Sequence, residues 1–170
     1  MKKMITFIIA ITLVMSMSVG ALAASVTSKQ ALDTALKDAK LKKSLARYIE
    51  VEYEKDDNEY SVEFVKNKNK AEYDYEIDAT TGAIKSKSVE LKYTWNSSRK
   101  KVSKTKARKK VAKHSGISYN TIKEGSCKYE YDDGEGKYEI HFTTDDRRYE
   151  YEIQAATGKV IGYEWDLINK

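Results

Sequence analysis

The stretch YDYEIDATTGAI at residues 73–84 returns as YEYEIQAATGKV at residues 149–160, a shift of 76 positions. Successive side chains of a β-strand point to opposite faces. Tyr73, Tyr75 and Ile77 therefore share one face, while Asp74, Glu76 and Asp78 share the other. Such alternation predicts a strand with one buried and one solvated face. The A-x-T-G-x-[IV] that follows reads as a turn and the start of a return strand. Gly82 and Gly158 are the natural positions for a positive φ, which other residues adopt only at a cost.

Working outward, the echo covers a whole module. Ala31 falls on Ala107, Ala35 on Val111, Leu41 on Ile117 and Tyr53 on Tyr129. The offset becomes 78 at Tyr60/Tyr138 and Phe64/Phe142, then returns to 76 at Tyr73/Tyr149. Length changes confined to turns preserve strand register, because a one-residue slip would flip every side chain. Each module opens with a helical pattern. Ala31, Leu32, Ala35, Leu36 and Ala39 make one apolar stripe behind Ser28 as N-cap. Ala107, Val111 and Ala112 make a thinner stripe behind Ser103 or Thr105, and Gly116 is placed to end that helix. Strands follow at Val51/Tyr53, Tyr60/Val62/Phe64, Tyr73/Tyr75/Ile77 and about residues 83–93, with counterparts in the second half. The fold class read from these periods is α+β: two repeated modules, each one α-helix packed on a curved antiparallel sheet of about four strands.

The first residues carry Lys2 and Lys3, an apolar run and Ala21-Leu22-Ala23, the pattern of a cleaved signal peptide. The expected organisation is therefore a signal peptide at 1–23, module 1 at 25–96 and module 2 at 97–170. Removing that leader takes the net charge from +5 to +3. The chain is expected to be exported, and localised outside the cell or on its wall. Cys127 is the only cysteine, so no intramolecular disulfide can form, and it is expected to be half-buried on a strand.

The order helix, strand pair, then Y-x-Y-E-I-D-A-x-T-G-x-I resembles the PepSY domain, at Tyr73–Ile84 and again at Tyr149–Val160. The resemblance extends over the helices, so two copies cover nearly all of the expected mature chain. Gln154 departs from the pattern where the first copy has Asp78. The resemblance implies a non-catalytic module without a cofactor, binding another secreted or envelope protein, most plausibly a peptidase that it restrains. Its motif residues here are Tyr73, Tyr75, Ile77, Gly82, Tyr149, Tyr151, Ile153 and Gly158.

The residues themselves offer little chemistry. There is no G-x-S-x-G, H-E-x-x-H or phosphate loop. His114 lies near a helix end, where a cation interacts favourably with the dipole, and His141 is expected on the solvated face. Two histidines and one cysteine match no zinc spacing. Asp56-Asp57 and Asp132-Asp133 are acidic turns without EF-hand spacing, and no metal site is assigned. The sharpest anomaly is residues 99–113, with nine basic residues and no acid. Lys104, Arg108, Lys109 and Lys113 would form an outward or flanking face able to meet an anionic wall polymer or lipid headgroups. Export argues against nucleic acid as the partner.

Overall fold

A computed structural model describes residues 26–66, 71–92, 101–132 and 135–168. The signal-peptide reading at 1–23, the joint at 93–100 and Asp133-Gly134 lie outside the described residues. In chain order the elements are α1 (Ser28–Asp38), a 3-10 turn (Lys43–Leu45), β1 (Ala46–Glu54), β2 (Glu59–Lys66), β3 (Ala71–Asp78) and β4 (Ile84–Glu90). Then come α2 (Lys104–Ser115), α3 (Tyr119–Glu124), β5 (Ser126–Asp132), β6 (Glu135–Thr143), β7 (Arg147–Gln154) and β8 (Val160–Leu167).

All eight strands form one antiparallel sheet in the order β1-β2-β3-β4-β8-β7-β6-β5. Each module is a four-stranded meander, and the last strands of the two meanders pair with each other from Ser86↔Asp166 to Glu90↔Gly162. This corrects the expectation of two separate sheets. A last strand without a neighbour would leave a row of backbone groups unpaired, and pairing β4 with β8 satisfies both rows at once.

The register carries each inward row across the whole sheet. Val62, Tyr75, Lys87, Trp165, Tyr149 and Phe142 form one row, and Phe64, Tyr73, Val89, Tyr163, Tyr151 and Ile140 form the next. The helices cover this face in two separate clusters. Ala31, Leu32, Ala35 and Leu36 of α1 pack on Tyr60, Val62, Phe64, Tyr75 and Ile77. Ala107, Val111 and Ile122 pack on Tyr138, Ile140, Phe142, Tyr151 and Ile153. Each fully buried Val, Leu, Ile or Phe among them contributes about 1.5–3 kcal/mol. Stacked rings recur at equivalent places, Phe64–Tyr73 at 5.1 Å and Phe142–Tyr149 at 4.8 Å.

Local expectations need three corrections. Thr27, not Ser28, caps α1, in a reciprocal capping box with Gln30. Module 2 has a second helix, α3, so one helix per module holds only in the first half. Tyr53, read as inward, and Tyr131 of the equivalent strand are 41% and 55% exposed, because each lies near the end of an edge strand.

The echoed phrase has a further job that periodicity does not reveal. The Ala79 carbonyl accepts from Val26 N at 3.0 Å, and the Ala155 carbonyl accepts from Val102 N at 2.9 Å. The turn thus anchors the chain just before each helix. Gly82 and Gly158 sit at φ +73° and +71°, against Val26 and Val102 respectively.

Candidate functional site

The equivalent sites under the two helices carry different chemistry. In module 1, Lys87 is 9% exposed. Its Nζ lies 2.6 Å from Asp38 Oδ2, which also accepts from the Tyr75 hydroxyl at 2.9 Å. The ammonium stands between the rings of Tyr75 and Tyr163, at 5.4 and 5.6 Å from their centroids. Burial by itself would lower the Lys87 pKa, but the Asp38 hydrogen bond and neighbouring negative groups outweigh it, and the net shift is upward. Burial, and then Asp38, push the Tyr75 hydroxyl upward.

A shift of 76 residues converts Asp38, Tyr75 and Lys87 into His114, Tyr151 and Tyr163. His114 Nδ1 is 3.3 Å from the Tyr151 hydroxyl, and its ring meets Tyr163 edge-on at 5.0 Å. Burial, and then the Lys87 charge, lower the His114 pKa. Both effects disfavour the charged imidazole, against the reading of a helix-end cation.

The remaining titratable residues assemble no reactive constellation among the described residues. Burial raises the Cys127 pKa, which disfavours the thiolate. His141 Nδ1 is 3.4 Å from a Glu150 carboxylate oxygen. Glu54, Asp57 and Glu59 bring carboxylate oxygens within 4.8 Å of one another, but Glu59 is already ion-paired with Lys85.

The four basic residues singled out from the sequence separate. Arg108 turns inward and donates to the Gly125 carbonyl at 2.9 Å. Gly125 is required there, because a Cβ would lie 2.1 Å from the His141 carbonyl oxygen. Lys109 lies 6.0 Å from the Tyr119 ring centroid, and Lys104 and Lys113 are exposed. Lys113 joins Lys110, Lys159 and His114 around an open cavity of about 610 Å3, lined also by Leu91 and Val160. Spacing alone could not find this group, because Lys159 arrives from the β7–β8 turn.

The sheet face away from the helices is acidic. One row crosses it as Glu50, Glu63, Asp74, Ser88, Glu164, Glu150 and His141. The next reads Glu52, Ser61, Glu76, Ser86, Asp166 and Arg148. In module 2, Lys137 pairs with Glu139 at 2.9 Å and Glu152 at 2.5 Å. Over β3, β4 and β8, Lys92 pairs with Glu72 at 3.2 Å, while Asp74, Glu76, Glu164 and Asp166 have no ion-pair partner among the described residues. Ser86 and Ser88 floor a trough of about 470 Å3 walled by Asp74 and Glu76 on one side and Glu164 and Asp166 on the other. Burial, and then neighbouring carboxylates, raise the pKa of Glu63, Asp74 and Glu164. Among the described residues no helix is long and apolar enough to cross a membrane.

Two solved structures resemble this fold. A Clostridium difficile 630 protein described as a lipoprotein is 18% identical over 83% of this chain and 93% of its own, with a TM-score of 0.31. The Bacillus megaterium YpeB C-terminal domain is 17% identical over 81% of this chain and 62% of its own, with a TM-score of 0.46. Among curated proteins none matches the sequence. The PepSY family, described as "Peptidase propeptide and YPEB domain", matches residues 25–87 and again 101–164. Those two matches cover most of the chain, which belongs to the PepSY family as a tandem pair of its domains.

Proposed function

We propose that this chain is a secreted, non-catalytic binding protein that restrains or regulates a peptidase or another envelope protein. Membership of a peptidase-propeptide family is the observation that carries the reading. The leader-like residues 1–23 support export. The sheet's edges offer a docking mode, since an edge strand can pair with an extended partner segment. β1 is interrupted by an irregularity between Arg47 and Glu50, with Tyr48 at φ +51°, a device that discourages pairing. β5 is accordingly the better edge. Pull-down from culture supernatant, with an inhibition assay on any peptidase recovered, tests the reading. Capture of a peptidase and loss of its activity is expected; no partner and no inhibition at about micromolar protein, a concentration typical of transient complexes, would overturn it.

A second reading is favoured by the exposed lysines of α2 and by the cavity ringed by Lys110, Lys113 and Lys159. Here the module holds an anionic wall polymer or lipid headgroup. Retention on such a polymer should then fall with salt and disappear when Lys104, Lys109 and Lys113 are reversed to glutamate.

A further inference from the structure

We infer that the acidic trough over β3, β4 and β8 is a docking surface for α2 of a second copy of this chain. The inference is independent of the peptidase reading. It rests on two surfaces of the same molecule that match in charge and in size, yet cannot meet within one copy.

The trough exists only because the modules share a sheet. Its floor, Ser86 and Ser88, comes from module 1, and one wall, Glu164 and Asp166, comes from module 2. Small floor residues between longer carboxylate walls leave an open channel rather than a flat charged plane. None of Glu63, Asp74, Glu76, Glu164 or Asp166 forms an ion pair among the described residues; Glu72, also in the trough lining, pairs with Lys92, and module 2 neutralises its own face through Lys137. Burial first, and then repulsion between these carboxylates, raises three of their pKa values. A ligand carrying several positive charges relieves that repulsion. A single metal ion fits less well: the carboxylate oxygens that converge within 4.8 Å among the described residues are those of Glu54, Asp57 and Glu59, outside the trough.

The matching cation is on the opposite side of the molecule. Helix α2 contains no acidic residue, and Ala107 and Val111 face its own core. Lys106, Lys109 and Lys113 follow one another at i, i+3 and i+7 on the exposed side, with Lys110 beside them. None of the four is ion-paired among the described residues. At about 1.5 Å per residue the 12-residue helix is about 18 Å long. The four strands that line the trough, β2, β3, β4 and β8, at about 4.8 Å spacing span about 14 Å, so the helix fills it and overhangs by about one turn. Because α2 covers the aromatic face of its own sheet, its lysines cannot reach the trough behind them. A second copy can supply them, in a head-to-tail contact that leaves a free helix at one end and a free trough at the other.

Sedimentation velocity on the mature chain tests this, at about 0.01 M and about 1 M salt, where charges are screened beyond about 30 Å and about 3 Å respectively. Self-association that rises with protein concentration at low salt and vanishes at high salt is expected. Two charge-reversed proteins complete the test: Lys106→Glu/Lys109→Glu/Lys113→Glu, and Asp74→Lys/Glu164→Lys/Asp166→Lys. Each alone should lose at least about tenfold in association constant, with unchanged circular dichroism. Mixing the two should restore complex formation, because each then meets an opposite charge, and misfolded chains would not recover. A wild-type chain that stays monomeric at low salt overturns the proposal. So does association that survives reversal of either surface, or two folded variants that fail to combine. Binding of a lysine decapeptide to the trough of a chain that does not self-associate also overturns it, and assigns the surface to a foreign cationic segment.

Discussion

Helix α1 buries Ala31, Leu32, Ala35 and Leu36, whereas its counterpart α2 buries only Ala107 and Val111. At the shifted positions Leu32 has become Arg108 and Leu36 has become Ala112. Module 2 makes up the lost apolar volume with Ile122 of α3, which is fully buried against α2 and β6. Arg108, no longer an apolar contact, instead ties α2 to the Gly125 carbonyl ahead of β5. The same divergence runs through the seam, ionic at Asp38–Lys87 and aromatic at His114–Tyr163. The copied unit therefore preserves a shape, one aromatic face under a helical lid, and not one set of contacts.

The largest test of that comparison is Ile122→Ala. If α3 substitutes for the missing leucines, the cost should be about 2–5 kcal/mol, seen in denaturant unfolding as early loss of module 2 signals. A loss under about 1 kcal/mol would mean that α3 is an appendage. Next is the seam. Asp38→Ala leaves the Lys87 ammonium buried without its carboxylate and should cost about 1–3 kcal/mol. The swap Asp38→His with Lys87→Tyr rebuilds the module 2 arrangement in module 1. It should cost less than Asp38→Ala alone, and a greater cost would show that the two solutions are not interchangeable.

The smallest effect is a difference in acid sensitivity. Asp78 Oδ1 accepts from Thr81 N at 2.7 Å, Thr81 Oγ1 at 2.8 Å and Thr80 N at 3.0 Å, and these bonds hold its pKa below the usual carboxylate value. A depressed folded pKa means stability present above the unfolded pKa, near 4, and lost as pH falls through the folded one. In module 2 the equivalent Gln154 does not titrate, and its side-chain oxygen accepts from Thr157 Oγ1. Asp74 and Glu164 act in the opposite sense. Their raised pKa values make the fold less stable as pH rises through the range just above 4. Asp74→Asn with Glu164→Gln should therefore gain stability at pH 7, by about 1 kcal/mol or less, and flatten that limb. Asp78→Asn should remove the acid limb below it. Thermal unfolding from pH 2 to 7 reads both, and an unchanged profile in either variant breaks the assignment.

Much of the fold was legible because its signals are local. Period-2 alternation placed Tyr75, Ile77, Tyr151 and Ile153 inward, and the structure has them at 0–3% exposure. The A-x-T-G phrase located Gly82 and Gly158, where a positive φ demands glycine. Periodicity failed where the deciding contact is distant. Arg108 read as part of an outward basic face, but its partner is a carbonyl 17 positions away. Lys87 drew no reading from the sequence, because neither Asp38 nor the two tyrosine rings lie near it in the chain. α3 has six residues with one buried apolar side chain, too short to show a helical period.

By itself, then, the sequence determined the repeat, the inward and outward faces of the central strands β2, β3, β6 and β7, and the two tight turns, since each depends on neighbours a few positions apart. Only the tertiary structure decided that the two meanders join edge to edge through β4 and β8. That pairing is made by backbone groups, which every residue carries alike and no side-chain pattern announces. From it come both the sheltered Lys87 seam on one face and the acidic trough on the other.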